Sequence, residues 1–184
     1  MTDRSFHQVL ESARAGDGRA FEQLYESMHR RVYAFAASRG ASDPEALVNE
    51  VFLKVFTNIQ TFVGNKAQFS SWVFKIARNK LIDESRRRKR RVEESQLNDD
   101  HRSAAAWANA ETEALAHIED EWVSEQLDLL TAEQRDVVVL RVVSGLTIEE
   151  IADVLGKRVG AIKAMQRRAF RTLARNLERQ AVPQ

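Results

Sequence analysis

Cysteine is absent from this 184-residue chain, which excludes disulfides and thiolate zinc sites. Proline occurs twice, at Pro44 and Pro183, and glycine seven times. So few breakers favour long helices over strands and turns. No apolar run approaches the roughly 18 residues that a membrane helix needs. The opening MTDRSFHQVLESA has no apolar stretch, so no secretory signal is expected. The reading is a cytoplasmic protein without membrane insertion. The four histidines, His7, His29, His101 and His117, are scattered without metal-ligand spacing. No glycine-rich phosphate loop precedes a lysine. Glu149 and Glu150 read as charges at a helix N-terminus rather than an acid/base pair. No catalytic residue, no metal site, no cofactor and no enzyme activity are expected.

Charge is what the chain has in quantity, and it is segregated. Residues 1–92 carry 17 Lys and Arg against 10 Asp and Glu, a net of +7. Residues 93–125 carry one Arg against 10 acids, a net of −9, and residues 126–184 carry 10 against 7, a net of +3. Two basic segments thus flank an acidic one. Basic modules fit a polyanionic partner such as nucleic acid, and they equally fit solvated helix faces; charge alone leaves both open.

Apolar spacing predicts helices throughout. One covers about 5–15, with Phe6, Val9, Leu10 and Ala13. A second runs from about 18 to 39, with Phe21, Leu24, Tyr25, Met28, Val32, Phe35 and Ala36 on one side. A third opens on Asp43 as N-cap and Pro44 as first residue, with Leu47, Val48, Val51, Phe52, Val55 and Ile59 inward. After the loop Val63–Ala67, a fourth begins near Phe69 and runs into the basic stretch Arg86–Arg91. Periodicity fades from about 92 to 113. It resumes near Ile118 with Trp122, Val123, Leu127 and Leu130. Thr131 with Gln134, and Thr147 with Glu150, spell two capping boxes. The β-branched run VVVLRVV reads as buried helix because of its cap and the stop at Gly145. The expected fold is all-α: residues 1–92 and 118–184 as two small helical domains, joined by an acidic linker at 93–117.

The sharpest local pattern is TIEEIADVLGKRVGAIKAMQRRAF, at about 147–170. Ile151 and Leu155 face inward, Ala152 is small where two helices cross, and Gly156 suits a left-handed turn. Ile162 anchors the second helix. This is the spacing of a helix-turn-helix whose second helix enters the major groove. Helical projection puts Val159, Ile162, Gln166, Ala169, Phe170, Leu173 and Leu177 inside. It puts Gly160, Ala161, Lys163, Ala164, Arg167, Arg168 and Arg171 outside, with Arg158 in the turn. Small residues admit the backbone to the groove, and the arginines can reach guanine edges or phosphates. The plainer alternative is a helical hairpin with a basic surface.

The stretch from LDLLTAEQRDVVVLRVVSGLTIEEIADVLG through VGAIKAMQRRAFRTL resembles region 4 of the extracytoplasmic-function (ECF) sigma factors of bacterial RNA polymerase. GDGRAFEQLYE, EALVNEVFLKVF and FSSWVFKIARNKLIDESRRRKR resemble, in order, parts of region 2. The resemblance spans about residues 6–178. It implies that the first domain docks on the β′ coiled coil and captures the non-template strand of the −10 element. It further implies that the second domain grips the β flap and reads the −35 element. An anti-sigma factor is expected as a further partner. On this resemblance, Ala46, Asn49, Glu50, Leu53, Lys54 and Thr57 face core polymerase. Asn65, Lys66, Trp72, Lys75, Arg78, Asn79, Arg86 and Arg87 face the −10 strand. Family members usually have an acid at the place of Ala46, glutamine at Asn49, and arginine then leucine at Met165 and Gln166. Trp72 reads equally as a core aromatic. The linker reads as a nucleic-acid mimic inside the polymerase or as a solvated tether. The rival function is a stand-alone helix-turn-helix regulator, which has no use for the EALVNEVF helix.

Overall fold

The computed structural model describes residues 3–96 and 121–181. They form eight α-helices, a 3₁₀ turn at Ile59–Thr61 and, among the described residues, no strand. The N-terminal half comprises α1 (Asp3–Arg14), α2 (Gly18–Ser38), α3 (Pro44–Asn58) and α4 (Lys66–Gln96). Asp17 caps α2 by accepting from the Arg19 amide at 2.9 Å, and Asp43 caps α3 by accepting from Ala46 at 2.8 Å. The projected inner faces of these helices pack together: Phe6 and Leu10 of α1, Leu24, Val32 and Phe35 of α2, and Val48, Val51 and Val55 of α3 are buried. Phe69, Val73, Phe74 and Ala77 of α4 close this core. Gln60 donates to the Arg14 carbonyl at 2.9 Å, pinning the end of α1 to the 3₁₀ turn.

Helix α4 starts three residues earlier than its periodicity indicates. Asn65 and Gln68 cap it reciprocally: each backbone N–H donates to the other's side-chain oxygen, both at 2.9 Å. Lys66 and Ala67 are therefore helical, not loop. The helix also continues to Gln96, past the onset of the acidic segment. The rest of that segment, with His101 and His117, lies outside the described residues.

The C-terminal half comprises α5 (Glu121–Asp128), α6 (Ala132–Val142), α7 (Ile148–Leu155) and α8 (Val159–Ala181). Both capping boxes form, at Thr131/Gln134 and Thr147/Glu150. Val137, Val138, Val139 and Leu140 are all buried in α6, where core position outweighs modest propensity, but Val142 and Val143 at the end of the run are exposed, so only its first part is buried helix. Trp122 is exposed instead of inward; its indole N–H donates to Gln180 at 3.2 Å. Helix α8 is gripped by α6 and α7, which turns Ile162, Met165 and Ala169 into the core. Phe170 and Leu177, projected inward, are exposed. Ideal projection fixes the spacing of a stripe, but the neighbours choose which stripe is covered.

The two halves pack against each other, α4 on α7 and α2 on α6. The seam is polar. Arg31 of α2 donates to the Ser144 carbonyl and lies over the Phe74 ring, 5.7 Å from its centroid. Arg135 of α6 donates to the Ser38 carbonyl at 3.2 Å. Lys75 of α4 meets Asp153 of α7 at 2.7 Å. Arg39 lies 3.2 Å from the Asp136 carboxylate, which is 8% exposed and not aligned with it for a hydrogen bond. Burial lifts the Asp136 carboxyl to about 6, against the opposing pull of Arg39, Arg78 and Arg135; Glu133 adds to the rise.

That value lies above the 3.8 of an unperturbed carboxyl, so the folded form binds this proton more tightly than the unfolded chain does. The group's favourable contribution is full below about pH 3.8 and is lost as pH rises through about 6. Asp136→Asn removes this dependence. Denaturant melts should therefore show the loss of stability between about pH 5 and 7.5 shrinking by about 1 kcal/mol in the variant relative to the parent.

Candidate nucleic-acid and protein interfaces

The turn between α7 and α8 is built by three local devices. Thr147 accepts from the Glu150 amide at 3.2 Å, and its own N–H donates to the Glu150 carboxylate at 2.5 Å, which starts α7. Gly156 ends α7 at φ 64°, ψ 36°, a left-handed conformation that a Cβ disfavours. The Lys157 amide then donates to the Ala152 carbonyl at 2.9 Å, and α8 begins at Val159. Ile151, Ala152, Leu155 and Ile162 are buried between the two helices.

This leaves the outer face of α8 as the sequence pattern indicates. Arg158, Gly160, Ala161, Lys163, Arg167, Arg168 and Arg171 are exposed, and Ala164 is half-buried. A Cβ built at Gly160 would meet nothing within 4 Å, so the fold does not require glycine there. Among the described residues, none of these cations is in an ion pair. Their charge is uncompensated along a helix that presents only small side chains at its start. Such a face can enter a groove and neutralise phosphates.

The residues expected to face the −10 strand lie at the start and along one side of α4. Val63, 86% exposed, stands at the tip of the turn. Beneath it, Phe62 and Trp72 stack with ring centroids 5.0 Å apart and planes 23° apart, and Phe69 meets both rings. Trp72 is half-buried against the core, so one ring face is occupied by Phe62. The side-chain oxygen of Asn65 is engaged in capping, leaving its NH₂ as the group that can donate outward. Further along, Lys75 is half-buried against Asp153 of α7 and Arg78 is half-buried near Asp136 of α6, whereas Asn79, Arg86 and Arg87 are exposed. The structure thus divides this set: the start and the basic end of α4 are open, and its middle is covered.

Helix α3 presents a third surface. Ala46, Asn49, Glu50, Leu53, Lys54 and Thr57 are all exposed, and Leu53 is 66% so. Glu50 is tied to Lys80 of α4 at 2.7 Å. Phe56, 52% exposed, extends this surface and was not singled out by sequence. Its ring meets Phe21 edge-on at 5.0 Å. Phe56 stands three residues beyond Leu53 on the same helix, and that spacing was the available signal. Together they form an apolar strip rimmed by polar groups, the composition of a protein-binding patch.

Gly64 makes the α4 turn possible. A Cβ there would lie 2.7 Å from the Gln68 side-chain oxygen and 3.0 Å from the Phe62 ring. Gly64→Ala should displace Gln68 from its capping bond and lower stability by about 1 kcal/mol. Gly160→Ala should not lower it at all. Parallel thermal melts of the two variants check both expectations.

Comparison with known proteins finds two family regions in order along the chain. Sigma-70 region 2 matches residues 24–91, and Sigma-70 region 4 matches residues 120–173. The chain is 33% identical over 177 residues to the ECF RNA polymerase sigma factor BldN of Streptomyces coelicolor, covering 92% of this chain and 65% of BldN. The chain therefore spans just under two thirds of BldN's length. It is 32% identical to EcfG of Rhodopseudomonas palustris, over 76% of this chain and 74% of that one. It is also 32% identical to SigM of Mycobacterium tuberculosis, over 95% and 86%. Among solved structures, CnrH in complex with the cytosolic domain of CnrY superposes with a TM-score of 0.67 at 25% identity, covering 94% of this chain and 97% of that one. The sigma factor RpoE of Bartonella quintana, solved with the anti-sigma factor NepR, shares the fold at a TM-score of 0.59 and 22% identity, over 95% of each chain. With both region models matched in order and relatives of this identity along most of its length, the chain belongs to the ECF sigma factors of bacterial RNA polymerase.

Proposed function

We propose that the chain binds core RNA polymerase, directs it to a two-part promoter and leaves catalysis to the polymerase. The observation that carries this reading is the separation of two exposed surfaces of different chemistry on one chain. An apolar strip lies on α3, and an uncompensated arginine face lies on α8. Residues 1–92 act as the region 2 domain, 118–184 as the region 4 domain and 93–117 as the connector. Leu53 and Phe56, rimmed by Ala46, Asn49, Glu50, Lys54 and Thr57, dock on the helical coiled coil of β′. Burial of the two apolar side chains supplies the affinity, and the polar rim sets the register.

Strand capture at the −10 element uses Asn65, Lys66 and the Trp72 edge for an unstacked base. Lys75, Arg78, Asn79, Arg86 and Arg87 form the backbone track. The −35 duplex is held by α8. Gly160, Ala161 and Ala164 let the helix approach, while Arg158, Lys163, Arg167, Arg168 and Arg171 reach phosphates and base edges. The second domain also contacts the β flap. A small anti-sigma protein restrains the free chain. This reading places the protein in the cytoplasm with the polymerase. No helix among the described residues is long and apolar enough to cross a membrane.

The direct test is reconstituted transcription with purified chain and bacterial core polymerase on a genomic library. Chain-dependent start sites sharing a two-part upstream motif support the reading; their absence with folded protein and active polymerase refutes it. Two double substitutions test the division of labour. Arg167→Ala with Arg168→Ala should weaken −35 duplex binding at least about tenfold while core binding holds. Asn49→Asp with Leu53→Asp should abolish core binding and spare binding of the isolated chain to duplex. Binding assays with core enzyme and with duplex DNA separate the two.

A further inference from the structure

The cations of α8 are not equivalent, because the rotation of the helix about its own axis is fixed. Ile162, Met165 and Ala169 are buried against α6 and α7. At about 3.6 residues per turn, each of the three lies roughly 140–160° around the axis from Arg167. Arg167 is exposed and stands on the side farthest from the core, with Gly160 and Ala164. Lys163 lies about 40° to one side of Arg167, and Arg168 about 100° to the other. The helix is also held at both ends. Lys157, in the turn before it, meets Glu133 of α6 at 2.8 Å. Toward its end, Asn176 donates to Gln126 of α5 at 2.7 Å, and the Trp122 indole donates to Gln180 at 3.2 Å.

We propose that Arg167 sets the sequence preference of the duplex element by reading O6 and N7 of one guanine, while Lys163 and Arg168 grip the phosphate walls on either side. The inference rests on the assignment of α8 to the −35 duplex. It goes further by naming the base and the side chain that selects it.

Gly160 and Ala164 put no side chain longer than a methyl on the outer line at the start of α8. The helix start can therefore sink into a major groove until the first long side chain on that line, Arg167, meets the floor. The charge of Arg167 is unspent. From Val159 to Leu177 the helix holds no acid, and among the described residues Arg167 makes no ion pair or side-chain hydrogen bond. A guanidinium has donors only, set in a rigid fork. In the major groove guanine presents two acceptors to such a fork, whereas adenine sets an NH₂ beside its N7. Thymine offers one acceptor there and cytosine a donor. Guanine thus completes both bonds, and every other base leaves a guanidinium donor unpaired. A bidentate pair needs accurate aim, which the two anchored ends of α8 supply. Lys163 and Arg168 point to either side of the floor, where the phosphates of the two strands run, and phosphate contacts add affinity without base preference.

Arg167 is exposed, so substitutions there spare the core. The full-length chain and its variants are used to select from a randomised DNA duplex library, and the bound duplexes are sequenced. The same library, placed as the upstream promoter element, is read by reconstituted transcription. The parent should enrich a motif in which one guanine is preferred about tenfold over any other base. Arg167→Gln should keep the rest of the motif and exchange that guanine for adenine, because a glutamine amide pairs with adenine N6 and N7. Arg167→Lys keeps the charge but not the fork, so the preference at that position should vanish while the salt dependence holds. Arg168→Ala should weaken binding to all sequences alike and leave the motif unchanged. An Arg167→Gln motif identical to the parent's overturns the proposal. So does a parent that enriches no guanine in either format, or a guanine lost in Arg168→Ala instead. Chain-dependent starts whose motif ignores Arg167 sink this inference and leave the promoter reading standing. A duplex motif that follows Arg167, without chain-dependent starts, upholds the base assignment while the promoter reading fails.

Discussion

Helix α4 has to satisfy two neighbours at once, and most of the architecture follows from that. One side supplies Phe69, Val73, Phe74 and Ala77 to the N-terminal core. Another carries Lys75 against α7 and Arg78 near Asp136 of α6. A helix so committed cannot rotate to improve one contact without losing the other. Its start is fixed by the Asn65–Gln68 cap, and its flank is held by Glu50 on Lys80 and by Glu84, which accepts from both the N–H and the hydroxyl of Ser42. The aromatic group of Phe62, Phe69 and Trp72 sits where this helix leaves the core. The exposed turn above it inherits a rigid base.

The seam between the halves is chemically unlike either core. The cores are dominated by Phe, Leu, Ile and Val, whereas the seam relies on guanidinium groups donating to carbonyls and on a buried carboxylate. Burial lowers the Arg31 affinity for its proton, with Glu150 partly offsetting the shift, and raises that of Asp136. Polar seams of this kind are specific in geometry but gain little net free energy, because each charge gives up water for one partner.

Much of the fold was legible in sequence because its signals are local. Asp43 before Pro44, the two capping boxes and Gly156 act within a turn of where they stand, and each does what its residue type dictates. The outer faces of α3 and α8 were legible for the same reason: a helix presents every third or fourth residue together. Legibility failed where a second element decides the outcome. Met165 is buried and Phe170 exposed because α6 and α7 approach α8 from a direction that periodicity does not contain. Phe56 falls between the inner and outer arcs of α3, and Phe21 decides its environment. The Asn65–Gln68 cap was hidden by a polar loop whose residues suit a turn and a helix start alike.

The sequence by itself determined an all-α chain, its helix-turn-helix, its charge segregation and the residue sets that share each outer helix face, because propensity, capping and periodicity operate over a few residues. Only the tertiary structure decided which of those sets are open. Lys75 and Asp153 are 78 positions apart, and Arg135 and the Ser38 carbonyl are 97 apart. No local rule brings such partners together. Their meeting depends on how two cores dock, and docking answers to shape and desolvation over a whole surface.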